Sequence, residues 1–157
     1  MPTTDFVLVT RWRIDAARDA VWEALKHPLE WPRWWRYVRA VDEIDAGDAD
    51  GVGARYRFQW GSRLPYSIRL LTTVTTIEKP RTISARAEGD LRGTGTWRLD
   101  GDERATRVEY TWSVDLDRAW MRTLLPVLRP AFAWNHNAVM AAGEAGLKHH
   151  LEGAARA

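Results

Sequence analysis

The sequence predicts an α+β fold in one domain spanning residues 1–157: a curved seven-stranded antiparallel sheet wrapped around a long C-terminal helix, with two short helices after strand 1. Three observations carry this. Apolar residues recur with period two through about eighty residues from Val38 onward. Gly, Pro and Asp clusters divide that stretch at hairpin spacing, so consecutive strands run antiparallel. After Arg118 the period changes to that of a helix.

The first strand is Phe6 to Ile14, with Phe6, Leu8, Thr10, Trp12 and Ile14 on one face and Arg11 and Arg13 on the other. Asp15 is placed to N-cap a helix from Ala16 to Lys26 whose apolar face is Val21, Trp22 and Leu25, and Pro28 stops it. Leu29 to Tyr37, rich in Pro and Trp, is a second short helix or tight turn. The remaining strands are Val38 to Ile44, Ala54 to Gly61, Tyr66 to Glu78, Arg81 to Glu88, Arg92 to Asp100 and Ala105 to Asp115. Gly93 and Gly95, lying inside a strand pattern, indicate a close backbone approach or a bulge rather than a phosphate cradle. Pro126 and Pro130 predict a broken first piece, followed by a main helix from about Pro130 to Leu151.

Composition excludes several kinds of chemistry. Cysteine is absent, so disulfides, thiolate metal sites and a cysteine nucleophile are out. The histidines lack ligand spacing, and no metal or cofactor site is expected. No nucleophile elbow, Walker loop or dinucleotide fingerprint occurs. Net charge is +2, and the arginines are interleaved with acidic residues, so no nucleic-acid partner is expected. No apolar run reaches the length of a membrane span; a cytoplasmic monomer or homodimer without stable membrane insertion is the expectation.

What stands out is ten Trp against three Phe and four Tyr. Large aromatic rings on the inner sheet face, with few polar groups among them, are the usual lining of a small-molecule pocket. The candidate ligand-binding residues are Trp12 on strand 1; Tyr56, Phe58 and Trp60; Ile68, Leu70 and Thr72; Trp97; and Tyr110 and Trp112. The terminal helix adds Phe132, His136, Val139 and Met140. Trp34 and Trp35 are placed at the cavity mouth, while Trp120 and Trp134 fall off the apolar stripe and have no assigned role. His136 sits in mid-stripe at four-residue spacing from Phe132 and Met140; it is either a hydrogen-bonded structural imidazole or a ligand or proton-transfer group.

The strings Ile14-Asp15-Ala16, Val21-Trp22-Glu23-Ala24-Leu25, Trp31-Pro32-Arg33-Trp34-Trp35, Gly89 to Trp97 and Phe132-Ala133-Trp134-Asn135-His136 resemble the START-like or Bet v 1-like (SRPBCC) superfamily, in its bacterial polyketide cyclase/dehydrase-like branch. The resemblance covers nearly the whole chain. It implies a helix-grip fold with a hydrophobic cavity between the terminal helix, the sheet and the short helices, and an apolar small-molecule ligand of lipid, polyketide, sterol, hormone or quinone type. It carries no catalytic residue over to this chain.

Two functions from different classes remain open at this point. One is binding of an apolar, aromatic or polyketide/lipid-like molecule. The other is a cofactor-free cyclase, aromatase or dehydratase in which His136 and Tyr110 transfer protons. A third, a protein-interaction domain of the chaperone-activator type, requires Trp34 and Trp35 to form an exposed patch.

Overall fold

The computed structural model describes residues 6–63, 67–115 and 123–156, so Trp120 and the expected start of strand 4 at Tyr66 lie outside it. Its elements are β1 (Phe6–Ile14), α1 (Arg18–Lys26), a 3-10 turn (Pro28–Glu30), α2 (Trp31–Trp34), β2 (Val38–Asp45), β3 (Arg55–Trp60), β4 (Ile68–Glu78), β5 (Thr82–Gly89), β6 (Arg92–Gly101), β7 (Thr106–Asp115) and α3 (Leu125–Arg156). The seven strands form one antiparallel sheet in the order β1-β7-β6-β5-β4-β3-β2, open between β1 and β2.

Alternation decides which face each residue takes. Along β6, Gly93, Gly95, Trp97 and Leu99 are buried while Arg92, Thr94 and Arg98 are exposed. The β5–β6 and β6–β7 ladders run without a register shift, so the two glycines mark a close approach and not a bulge. On the outer face the Glu109 carboxylate lies 3.5 Å from the Arg11 guanidinium and 3.8 Å from that of Arg98. Such solvent-exposed pairs contribute little to stability.

α1 starts two residues later than expected, and Asp15 does not cap it. The Asp15 carboxylate instead reaches the Arg13 guanidinium at 3.5 Å. The first turn is held from across the fold: the Arg18 N–H donates to the Asp102 carbonyl at 2.9 Å, and the buried Thr106 hydroxyl donates to the Ala16 carbonyl at 2.8 Å. A tertiary contact thus does the work of a side-chain cap on an otherwise unpaired N–H.

The terminal helix is also longer than its prolines predict. α3 is a single helix of 32 residues with Pro130 inside it. Pro130 lacks only the N–H that would bond the Pro126 carbonyl one turn back, a loss confined to the helix's beginning.

α3 does two jobs along its length. From Phe132 to Met140 it roofs the concave sheet; from Gly143 to Leu147 it presses against the indoles of the short-helix region. Gly143 faces Trp35 and Trp12, and Gly146 lies against the Trp34 carbonyl. A Cβ at Gly143 would stand 2.5 Å from Trp35 Cε2 and 2.9 Å from Trp12 Cζ2. Gly→Ala within a helix ordinarily gains about 1 kcal/mol. Overpacking two fixed indoles costs about 1–3 kcal/mol. Gly143→Ala is therefore expected to lower stability by about 1 kcal/mol in urea unfolding, and a gain in stability would contradict this packing.

The core is a cluster of indoles centred on Trp31 and Trp35. Trp35 meets Trp60 at 5.0 Å and Trp12 at 5.5 Å edge-on, and stacks on Trp34 at 5.5 Å between ring centroids. Its Nε1 donates to the Val139 carbonyl at 2.8 Å, and Trp31 Nε1 donates to the Ala24 carbonyl at 3.0 Å. The buried indole nitrogens of Trp12, Trp22 and Trp34 have no partner among the described residues. These three rings are held by apolar packing.

The sequence places Trp34 and Trp35 at the cavity mouth; in this cluster both rings are buried under the terminal helix. They are only 6% and 1% exposed, because α3 covers both: His150 stacks on the Trp34 ring and Gly143 lies against that of Trp35. With them goes the surface patch that the protein-interaction reading required.

Candidate functional site: an aromatic cavity under the terminal helix

Between α3 and the concave sheet lies a cavity of about 360 Å³. Its walls are built strand by strand. β3 supplies Tyr56, Phe58 and Trp60, β4 supplies Ile68, Leu70, Thr72 and Val74, and β5 supplies Ile83, Ala85 and Ala87. Gly95 and Trp97 follow on β6, then Tyr110, Trp112 and Val114 on β7 and Phe6 and Leu8 on β1. Phe132, Asn135, His136, Val139 and Met140 close it from above. Phe6 and Phe132 stack at 5.9 Å at one end.

At the other end the wall is made by Leu25, Trp31 and Trp35, with the rim formed by Lys26, His27 and the β2–β3 loop. That loop is shaped by its own carboxylates. Asp45 Oδ1 accepts from the Gly47 N–H at 2.8 Å, and Asp48 Oδ1 accepts from the N–H groups of Asp50 and Val52 at 2.9 Å each. Gly47, at φ 75°, makes the turn that a side chain would resist. Lys26, His27, Asp48 and Asp50 are the charged or titratable groups of this rim, and deeper in, the described lining is uncharged at neutral pH.

The sequence candidates divide plainly. Tyr56, Phe58, Trp60, Ile68, Leu70, Thr72, Trp97, Tyr110, Trp112, Phe132, His136, Val139 and Met140 all line this cavity. Trp12 does not: it faces the correct side of β1, but Gly143, Trp35 and Trp97 fill the space over it. Trp35 is part of the inner wall, and Trp34 does not touch the cavity. Sequence reasoning passed over Trp31, Leu25, Ala85, Gly95 and Asn135. The small residues gave a readable signal, since Ala85, Ala87, Gly93 and Gly95 put little volume on an inner face that is bulky elsewhere. Trp134, without a role in the sequence, is half exposed and packs its ring against the Arg63 guanidinium at 5.2 Å. Its neighbour Asn135 accepts a hydrogen bond from the Arg63 N–H at 3.2 Å, so residue 63 is tied to α3 by both.

The polar groups inside are few. His136 Nε2 lies 3.3 Å from the Thr10 hydroxyl, an interaction whose direction depends on the tautomer. Its ring lies alongside that of Tyr110, at 6.3 Å and 21°. Burial pushes the His136 pKa down to about 4, so the imidazole is neutral at physiological pH. Burial drives the Tyr110 phenol well above its usual range, and Tyr56 is raised too, by burial first and then by the Glu43 carboxylate. The Thr72 hydroxyl is already used, donating to the Tyr56 carbonyl at 3.4 Å.

The His136 shift has a consequence for stability. Unfolded His136 takes up a proton near pH 6.5 and folded His136 only near pH 4, so between these values the unfolded state binds more protons. Stability therefore falls as pH drops from 6.5 towards 4, by on the order of 3 kcal/mol from this group. His136→Gln is expected to flatten that part of the stability–pH profile in urea titrations. An unchanged slope would mean that the imidazole is solvated.

Among the described residues no group of three or more His, Cys, Asp or Glu could hold a metal ion, and no helix is long and apolar enough to cross a membrane. No curated protein matches the chain. Solved structures do. The Zhui aromatase/cyclase of Streptomyces sp. R1128 superposes with a TM-score of 0.77 at 16% identity, over 94% of this chain and 93% of that one. A Thermus thermophilus protein gives 0.73 at 18%, over 90% and 97%. A START superfamily protein of Mycobacterium smegmatis gives 0.68 at 12%, over 92% and 98%. At such identities the likeness is one of fold, the helix-grip arrangement of sheet and terminal helix. The model of the family described as polyketide cyclase/dehydrase and lipid transport matches residues 6–152, and the chain, with its seven strands curled under one long helix, belongs to that family.

Proposed function

We propose that the protein binds an apolar, ring-bearing small molecule in the cavity between α3 and the concave sheet. The observation that carries this reading is the cavity itself, about 360 Å³ walled by aromatic side chains from four strands, the short-helix region and the terminal helix. A space of that size left open by Ala85, Ala87 and Gly95 is costly in a domain built only for stability, since unfilled apolar volume forfeits dispersion contacts. Native mass spectrometry of gently purified protein, with solvent extraction of the sample, tests it. A stoichiometric apolar adduct is expected; bare protein, together with no saturable uptake of added ring compounds, contradicts it.

A second reading, a cofactor-free cyclase or dehydratase, is favoured by the placement of Tyr110 and His136 side by side in the cavity wall. One of the structural neighbours is an aromatase/cyclase by name. The binding reading is preferred because an imidazole with a pKa of about 4 is a weak base, poorly matched to proton abstraction near pH 7. Turnover of a poly-β-keto substrate that falls at least about a hundredfold in His136→Ala would reverse that preference.

A further inference from the structure

Tyr110 is a polar group of the cavity for which the fold supplies room without supplying a partner. Its ring packs on Trp97 at 4.3 Å, in direct register across the β6–β7 ladder. The space for its hydroxyl exists because position 95 has no side chain: a Cβ on Gly95 would overlap the Tyr110 oxygen. Among the described residues no hydrogen bond reaches that hydroxyl, and its raised pKa has burial as its sole cause. A hydroxyl that faces an aromatic-walled cavity without a protein partner is free to donate to an acceptor atom that a bound ligand brings.

The rest of the lining restricts what that acceptor can be. The charged side chains Lys26, Asp48 and Asp50 stand at the rim, away from Tyr110 and Phe132 on β7 and α3. A carboxylate carried inward would leave water without meeting a cation, which is strongly disfavoured.

We propose that the cavity selects uncharged ring-bearing ligands through one carbonyl oxygen, which accepts the Tyr110 hydroxyl, and rejects their carboxylate counterparts. This rests on the binding reading above and adds the ligand's chemical class to it. Gly95 is the positioning residue of this subsite, keeping the hydroxyl reachable.

Three naphthalenes of similar shape test it, titrated into the full chain by quenching of tryptophan fluorescence: 2-acetonaphthone, 2-ethylnaphthalene and 2-naphthoate. The ratio of ketone to hydrocarbon affinity is expected to fall at least about fivefold in Tyr110→Phe, as one neutral hydrogen bond requires. In the wild type, 2-naphthoate is expected to bind at least about tenfold more weakly than 2-acetonaphthone. An affinity ratio that Tyr110→Phe leaves within twofold overturns the Tyr110 anchor, and naphthoate binding as tightly as the ketone overturns the selection against charge, with no variant needed. Binding of all three without discrimination leaves the pocket standing and removes this inference. Binding of none removes both.

Discussion

Trp35→Ala is expected to lower the unfolding free energy by about 4 kcal/mol, at the upper end of what a single core truncation does. Trp35 is 1% exposed and its ring contacts Trp12, Trp31, Trp34, Trp60 and Trp97, so five other indoles would border the void. It also donates the hydrogen bond to the Val139 carbonyl that ties α2 to α3. Gly143 packs on the same ring, so the terminal helix would lose its closest support there. Small domains are stable by only about 5–15 kcal/mol, and the loss is a large share of that. Trp35→Phe retains an aromatic body and gives up the N–H, and it is expected to cost about half as much. Urea unfolding of the two variants measures both. A cost below about 2 kcal/mol for Trp35→Ala would show that the indole cluster is looser than the centroid distances indicate.

The second large effect concerns binding. Ala85 lies on β5, in register with Val74 on one side and Gly95 on the other, and its methyl group faces the cavity. In Ala85→Phe a phenyl ring would project into the 360 Å³ space, next to the Tyr110 hydroxyl that lies over Gly95. Overpacking usually destabilises a filled core, but here the added ring enters open volume and gains dispersion contacts. Affinity for a ring-bearing ligand is expected to drop at least about a hundredfold, a change of about 2.7 kcal/mol, while the urea midpoint stays level or rises. Loss of binding accompanied by loss of stability would instead point to misfolding of the sheet.

Much of the sheet was legible because period two answers a binary question, which face a residue takes, and nine of the ten lining candidates on strands face the cavity. Trp12 shows where that ends. Alternation put it on the inner face with Phe6 and Leu8, but position along the strand decides whether cavity or helix lies above, and that depends on Gly143 more than a hundred residues away. Trp34 and Trp35 were misplaced for a different reason. Trp31, Trp34 and Trp35 have i, i+3, i+4 spacing, one face of a helix, yet in a four-residue helix the pattern is too short to stand out from a proline-rich turn. The N-terminus of α1 and the passage of α3 through Pro130 were unreadable because distant carbonyls, or the place of Pro130 near the helix start, override local capping and breaking rules.

A tryptophan-quenching titration of 2-acetonaphthone into wild type and Ala85→Phe side by side tests most directly whether the cavity is a binding site. Trp31, Trp35, Trp60, Trp97 and Trp112 line the space and act as built-in reporters. Saturable one-to-one quenching in the wild type, lost in a folded Ala85→Phe variant, is the predicted result. Equal quenching in both, or linear quenching without saturation in the wild type, would contradict it.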